Sequence, residues 1–175
     1  KKAESYEICF VPDNDYRGFL KRNVNGLEER ASGGHFVDKN GKILGQHKGY
    51  PFYTIGQRKG LEIALGKPAF VTQIIPESNT VVLGDADDLL QQEMLVQGIN
   101  YIKYDSISEG MEADTKIRYK TAPSLSNLYN EDNGLVRVSF YDSVSGIAPG
   151  QSAVFYEGDD VIAGGIIRAG NISGK

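Results

Sequence analysis

Along this chain the apolar residues come in short runs separated by polar, Gly-bearing turns, and one stretch repeats them at helical spacing. That stretch is Asp15 to Arg22, DYRGFLKR. Tyr16, Phe19 and Leu20 stand at i, i+3 and i+4, one apolar stripe on a short helix. Asp13, Asn14 or Asp15 can cap its free N–H groups, Lys21 and Arg22 suit the negative end of its dipole, and Asn25-Gly26 ends it. A hairpin follows: Phe36 and Val37 lead into DKNGK and return through Ile43 and Leu44, with Asn40-Gly41 predicting a type I′ turn. Tyr50 to Gly66 is irregular and punctuated by glycine. Ala69 to Ile75 alternates as a strand, PESN turns, and Thr80 to Leu83 returns.

DADDLLQQE, Asp85 to Glu93, is the expected boundary between two domains. Beyond it the pattern predicts strands over Met94–Ile102, Glu112–Lys120, Gly134–Tyr141, Ser152–Glu157 and Asp160–Arg168. Short strands at this spacing, with no helical stretch among them, suggest a small closed barrel. The expected fold is mainly β: a small α+β central domain over residues 15–86, then a closed antiparallel β-barrel over residues 87–175.

Composition narrows the class. With 175 residues, 40% hydrophobic and 24% charged, the chain suits a soluble globular protein, and 21 Gly and 10 Tyr without Trp fit a turn-rich β fold. No run of about 18 apolar residues exists, so no membrane helix is expected. The start, KKAESYE, has no signal-peptide core and no initiator Met, and we expect a piece of a longer protein. One cysteine excludes an internal disulfide. Two histidines and no Cys/His cluster leave no expected metal site. A reducing cytoplasm is the default compartment.

The net charge of −4 is unevenly spread. From Gly41 to Lys67 five basic residues (Lys42, Lys48, Arg58, Lys59, Lys67) face one acid, Glu62; from Glu77 to Asp114 nine acids face one base, Lys103. The basic stretch is either a face for phosphates or a solvated loop. In KIRYK, Lys116, Arg118 and Lys120 alternate with Ile117 and Tyr119. On a strand the three cations would share one face about 7 Å apart, close to the phosphate spacing of a nucleic-acid strand. An outward barrel face dotted with cations reads the same way.

Three glycine-rich stretches fail as nucleotide loops. GLEIALGKP, Gly60 to Pro68, has five residues between its glycines where a P-loop has four, and Pro68 stands where Ser or Thr would hold magnesium. ASGGHF, Ala31 to Phe36, lacks the Asp of a pyrophosphatase-type ATP loop, and the C-terminal GNISGK has no strand-to-helix context. Cys9, in ESYEICF, lies between apolar Ile8 and Phe10 but within a short polar segment. Its residues alone leave packing and chemistry both open.

ESYEICF, YRGFLKR, GHFVDKNGKILGQHKGYPFYTIGQRKGL and IAPGQSAVFY together resemble the C-terminal half of the bacterial tRNA-specific 2-thiouridylase family, formerly named as tRNA (5-methylaminomethyl-2-thiouridylate)-methyltransferases. The blocks Gly45–Leu61 and Ile147–Tyr156 are the specific ones; the acidic middle matches loosely. The resemblance implies that residues 1–14 are a catalytic-cysteine segment of an N-terminal ATP-pyrophosphatase domain that is not in this sequence. It implies an enzyme that uses ATP and Mg2+ in that other domain to adenylate the 2-oxygen of the wobble uridine of tRNA. Sulfur then arrives from a sulfur-relay donor protein as a persulfide on Cys9. This chain by itself is expected to be inactive. The resemblance carries tRNA contact onto Arg118, Tyr119 and Gln151, and makes His47, Lys48, Arg58 and Lys59 a second candidate tRNA surface beside Lys116 and Lys120. Strand alternation puts Tyr119 opposite Arg118; a bulge or a strand end would reconcile the two. The alternative is a module that only positions tRNA, with Cys9 incidental. Methyl transfer finds no support, since no glycine-rich loop for S-adenosylmethionine appears.

Overall fold

The computed structural model describes residues 15–119 and 121–168. The chain divides into two units between Gly84 and Asp85. In the first, helix α1 (Tyr16–Asn23) begins at Asp15, whose Oδ1 accepts the Gly18 N–H at 2.8 Å. Lys21 and Arg22 sit in its last turn. Gly26, at φ 68°, turns the chain into a second helix, α2 (Leu27–Ala31). Five residues are too few to display a countable helical period, so the sequence pattern does not announce this element.

Strands β1 (Gly34–Val37) and β2 (Ile43–His47) form the hairpin. Its turn is not type I′. Gly41 takes φ 83°, but Asn40 is not among the residues with positive φ. The Gly41 N–H reaches the Asp38 carbonyl at 3.0 Å, and Asp38 Oδ1 accepts N–H bonds from Asn40 (2.8 Å) and Lys42 (2.9 Å). The Asp38 side chain organises a longer loop with one glycine in the left-handed region, and that side-chain bond outcompetes the two-residue turn. β3 (Phe70–Ile75) and β4 (Thr80–Gly84) complete a four-stranded sheet in the order β2-β1-β4-β3, with β1 and β4 parallel. Its core joins Phe36, Val71, Val81 and Leu83 of the strands to Phe52, Tyr53 and Leu61 of the irregular segment.

The second unit is a closed six-stranded antiparallel barrel, β10-β5-β8-β7-β6-β9. Its strands are β5 (Leu90–Tyr101), β6 (Met111–Lys116), β7 (Ser124–Glu131), β8 (Leu135–Ser145), β9 (Ser152–Glu157) and β10 (Asp160–Ile167). Closure removes exposed sheet edges. The fold is therefore mainly β, as expected. Val96, Leu128, Val136, Val138, Phe155 and Ile162 fill the interior and are essentially inaccessible. β5 bulges at Gly98 (φ 63°), opposite Gly165. A Cβ on Gly165 would lie 2.7 Å from the Gln97 carbonyl oxygen, so only glycine lets the two strands approach there.

Three expectations change. The boundary stretch Asp85–Glu93 already contains the start of β5. β7 is a strand that the pattern does not predict, because its alternation is inverted: Leu125 is exposed whereas Ser126 is fully buried. Ser126 is satisfied inside. Its hydroxyl donates to the Ala113 carbonyl (3.1 Å), so the 2.7 Å contact with Thr115 is donated by Thr115. Finally, β6 stops at Lys116, four residues before the predicted end at Lys120.

Candidate nucleic-acid interface

The early end of β6 places the KIRYK residues. Ile117 is still buried, but Arg118 leaves the ladder and donates from Nη2 to the Gly146 carbonyl at 2.8 Å. Gly146, at φ 75°, has no space for a side chain: a Cβ there would lie 2.6 Å from Arg118 Nη2. Tyr119 is 80% exposed, and the Lys116 ammonium lies 5.8 Å from its ring centroid. Because the strand ends at Lys116, strand alternation no longer dictates opposite faces for Arg118 and Tyr119.

Gly146 opens the segment that feeds β9. Ile147 and Ala148 are buried and anchor it, and exposed Gln151 follows. The Gln151 carbonyl accepts the Ile167 N–H at 2.8 Å, and the Gly150 N–H donates to the Ile167 carbonyl at 2.8 Å. β6 and β9 pair with Lys116 opposite Val154. Continued along both chains, this register brings Arg118 and Tyr119 toward the start of β9. The Arg118 bond to Gly146 ties the end of β6 to the segment that leads to Gln151, with Lys116 and Tyr119 against each other beside it.

Charge pairing sets this end apart. Lys103 is held by Glu157 (2.5 Å) and Asp160 (2.7 Å), and both carboxylates raise its pKa, the hydrogen bond it donates to Asp160 most. Arg137 is held by Glu131 (2.6 Å) and Glu93 (3.2 Å). Lys116, Arg118 and Arg168 make no ion pair among the described residues. Arg168 gives no signal in the sequence, since it lies at the end of an ordinary strand pattern with no motif about it.

The other candidate surface, in the first unit, needs correction. His47 is 7% exposed and is not a surface group. Its Nδ1 accepts the Gly49 N–H at 3.0 Å, so the proton sits on Nε2, and its ring packs edge-on to Phe36 with centroids 5.3 Å apart. Burial lowers its pKa below the ordinary 6.5. Lys48 is exposed but tied to Glu62 at 2.6 Å; Arg17 lies 3.6 Å from the other oxygen of that carboxylate. The Lys48 hydrogen bond chiefly lowers the Glu62 pKa. Arg58 and Lys59 are exposed, and Arg58 lies on an open groove of about 450 Å³ together with Leu61, Ile63, Leu65 and Pro68. Cys9 and Lys120 lie outside the described residues.

Gly60–Pro68 is a loop that runs into β3, and Ser32–Gly34 runs into β1; neither starts a helix whose N–H groups could cradle phosphates. Among the described residues no group of three or more His, Cys, Asp or Glu is placed to hold a metal ion, and no helix is long and apolar enough to cross a membrane.

The fold and its parts have counterparts. Residues 17–85 match the family described as tRNA methyl transferase PRC-barrel domain, and residues 91–167 match the Aminomethyltransferase beta-barrel domain. Each unit of this two-domain, mainly β chain thus has its own family match. More narrowly, the chain belongs to the tRNA-specific 2-thiouridylase family and corresponds to the C-terminal part of its members. It is 53% identical over 169 residues to tRNA-specific 2-thiouridylase MnmA of Amoebophilus asiaticus, covering 96% of this chain and 45% of that protein. Over 170 residues it is 53% identical to the protein of the same name from Cytophaga hutchinsonii (96% and 46%), and over 167 residues 49% identical to one from Clostridium tetani (95% and 46%). The chain spans a little under half the length of these relatives.

Proposed function

We propose that this chain is the tRNA-contacting C-terminal part of a sulfurtransferase that replaces the 2-oxygen of a tRNA uridine with sulfur. The single observation that carries the reading is the barrel end. Arg118, fixed by the Gly146 carbonyl, stands with free Lys116 and exposed Tyr119 at the segment that leads to Gln151. An anchored guanidinium offers phosphate its remaining N–H donors in a set direction, and an exposed tyrosine ring offers a base a stacking surface. The likeness to proteins named tRNA-specific 2-thiouridylase supports tRNA as the substrate and thiolation as the reaction.

In this reading Cys9 carries the sulfur as a persulfide received from a donor protein. The assignment rests on the ESYEICF motif. Its neighbours in sequence include two acids, Glu4 and Glu7, and in this reading activation of the thiol comes from groups brought to it by the rest of the enzyme or by tRNA. Binding and orientation of tRNA are the tasks these domains perform, and no step through ATP is assigned to their residues.

The test uses the full-length enzyme. Intact-mass analysis after incubation with a cysteine desulfurase relay should show one added sulfur that Cys9→Ser abolishes, together with loss of tRNA thiolation. Normal thiolation by Cys9→Ser would leave these domains as a tRNA-positioning module only. Unchanged tRNA affinity on charge reversal at Lys116 and Arg118 would remove the reading of the barrel end.

A further inference from the structure

Resting on the tRNA reading above, we infer that Arg168 is a further phosphate contact, which extends the barrel-end surface to the far side of β9. Three observations point to it. Ile167 is bonded through both its backbone groups to Gly150 and Gln151, so Arg168 is held next to the Gln151 segment. Its own N–H donates to the Leu95 carbonyl at 2.8 Å, which fixes its Cα although its side chain is exposed. It has no carboxylate partner among the described residues, in a unit where Lys103 and Arg137 each have two.

The register locates it relative to Arg118. β9 runs between β6 and β10, with Lys116 opposite Val154 and Gly164 opposite Val154 from the other side. Arg118 and Arg168 therefore flank the start of β9, two strand spacings or roughly 10 Å apart sideways. Exposure alternates along β10, with Ile166 out, Ile167 in and Arg168 out. Lys116 and Val154 also stand outside the buried interior set of Thr115, Ile117, Ala153 and Phe155. Arg168 and Lys116 thus share the outer surface. Extended, the two registers put Arg118 level with Ser152 and Arg168 level with Gly150, which adds about 7 Å along the strand, and two cations so separated span more than one phosphate of an RNA strand. Arg168 would take the phosphate on one side of the nucleotide that lies against Gln151, and Arg118 the phosphate on the other.

The decisive measurement is the affinity of the 175-residue chain for an unmodified tRNA transcript, by fluorescence anisotropy, across a salt series. Arg168→Ala should weaken binding about fivefold to tenfold and lower the magnitude of the log K against log salt slope by about 1, as expected when one phosphate is no longer neutralised. Arg168→Lys, which keeps the charge, should restore the slope. Its melting temperature should match that of the unsubstituted chain, because the anchoring bond is made by the backbone. If Arg168→Ala changes neither affinity nor slope while Arg118→Ala changes both, the inference about Arg168 falls and the tRNA reading stands. If neither substitution matters, or the unsubstituted chain does not bind tRNA, both fall.

Discussion

The two units solve the problem of presenting cations to an anionic partner in opposite ways. The segment through Gly84 carries 12 basic and 9 acidic residues; the segment from Asp85 on carries 7 and 14. In the acidic barrel, Lys103 and Arg137 are held by carboxylates, and the other described cations, Lys116, Arg118 and Arg168, stand at or just past the ends of β6 and β10, with Arg118 bonded to the Gly146 carbonyl and the Arg168 backbone to the Leu95 carbonyl. In the sheet unit, cations are in excess, but those described lie on the helices, in the β1–β2 turn and on the irregular segment after β2, and Lys48, Arg17 and Arg22 are drawn to the carboxylates of Glu62 and Asp15. A low count of cations with rigid placement marks a site more sharply than a high count with loose placement. Net charge alone points to the sheet unit, whereas the contact proposed above lies on the barrel.

The comparison can be broken most forcefully at the cores. The units have separate apolar clusters, one around Phe155 and one around Phe36. Phe155→Ala removes a fully buried ring and should cost the barrel about 3–5 kcal/mol. Hydrogen exchange should then show reduced protection in β5 to β10 while β1 to β4 keep theirs. An equal reduction in both would mean that the units do not fold as separate bodies.

Next in size is the buried hydroxyl pair of the barrel. Ser126→Ala leaves the Thr115 hydroxyl, 1% exposed, without its acceptor and the Ala113 carbonyl without its side-chain donor; about 1–3 kcal/mol of stability should go. Adding Thr115→Val removes the stranded group, so the double variant should regain part of the deficit in urea titration. Simple additivity of the two changes would refute the pairing.

That pair also explains where sequence reading stops. Residues that alternate apolar-in and polar-out announce themselves, and Ser152–Glu157 and Asp160–Ile167 follow the expected strands closely. β7 stays hidden because Ser126 points in and Leu125 points out, a reversal that depends on a hydrogen bond to a strand elsewhere in the chain. The same limit applies to the site. Arg118, Tyr119 and Gln151 become candidates through motif resemblance, but the bond from Arg118 to Gly146 depends on β6 ending at Lys116. Arg168 carries no motif and is visible only through the backbone bonds that tie Ile167 to Gln151. His47 sits within the most specific block and reads as a surface cation. No local pattern shows that Gly49 and Phe36 enclose its ring.

His47 gives a pH test that the barrel should not share. Burial lowers its pKa, so the folded chain keeps it neutral where the unfolded chain, near the ordinary 6.5, takes up a proton. The unfolded state binds more protons in that window. Stability contributed by this site is therefore present above about pH 6.5 and falls as pH drops toward the depressed folded value. Protonation at Nδ1 would also break the bond from Gly49. Melting of the sheet unit should decline across that window, and His47→Gln, which keeps an acceptor for the Gly49 N–H, should flatten the decline. A decline that persists in His47→Gln would move the cause elsewhere.

The smallest effect on stability sharpens the comparison most directly. Glu62 holds Lys48 and lies near Arg17 while its own backbone sits at φ 56°, a conformation that residues other than glycine seldom adopt. The pair is half exposed and screened by salt, so its removal should leave melting unchanged. Glu62→Gln keeps the size and removes the charge that competes for Lys48. If the sheet unit contributes to tRNA binding, freeing this ammonium should raise affinity about threefold at low salt, with the gain vanishing as salt rises. An affinity that does not move at any salt concentration would take Lys48 out of the tRNA surface. The few free cations of the acidic barrel would then carry the contact without it.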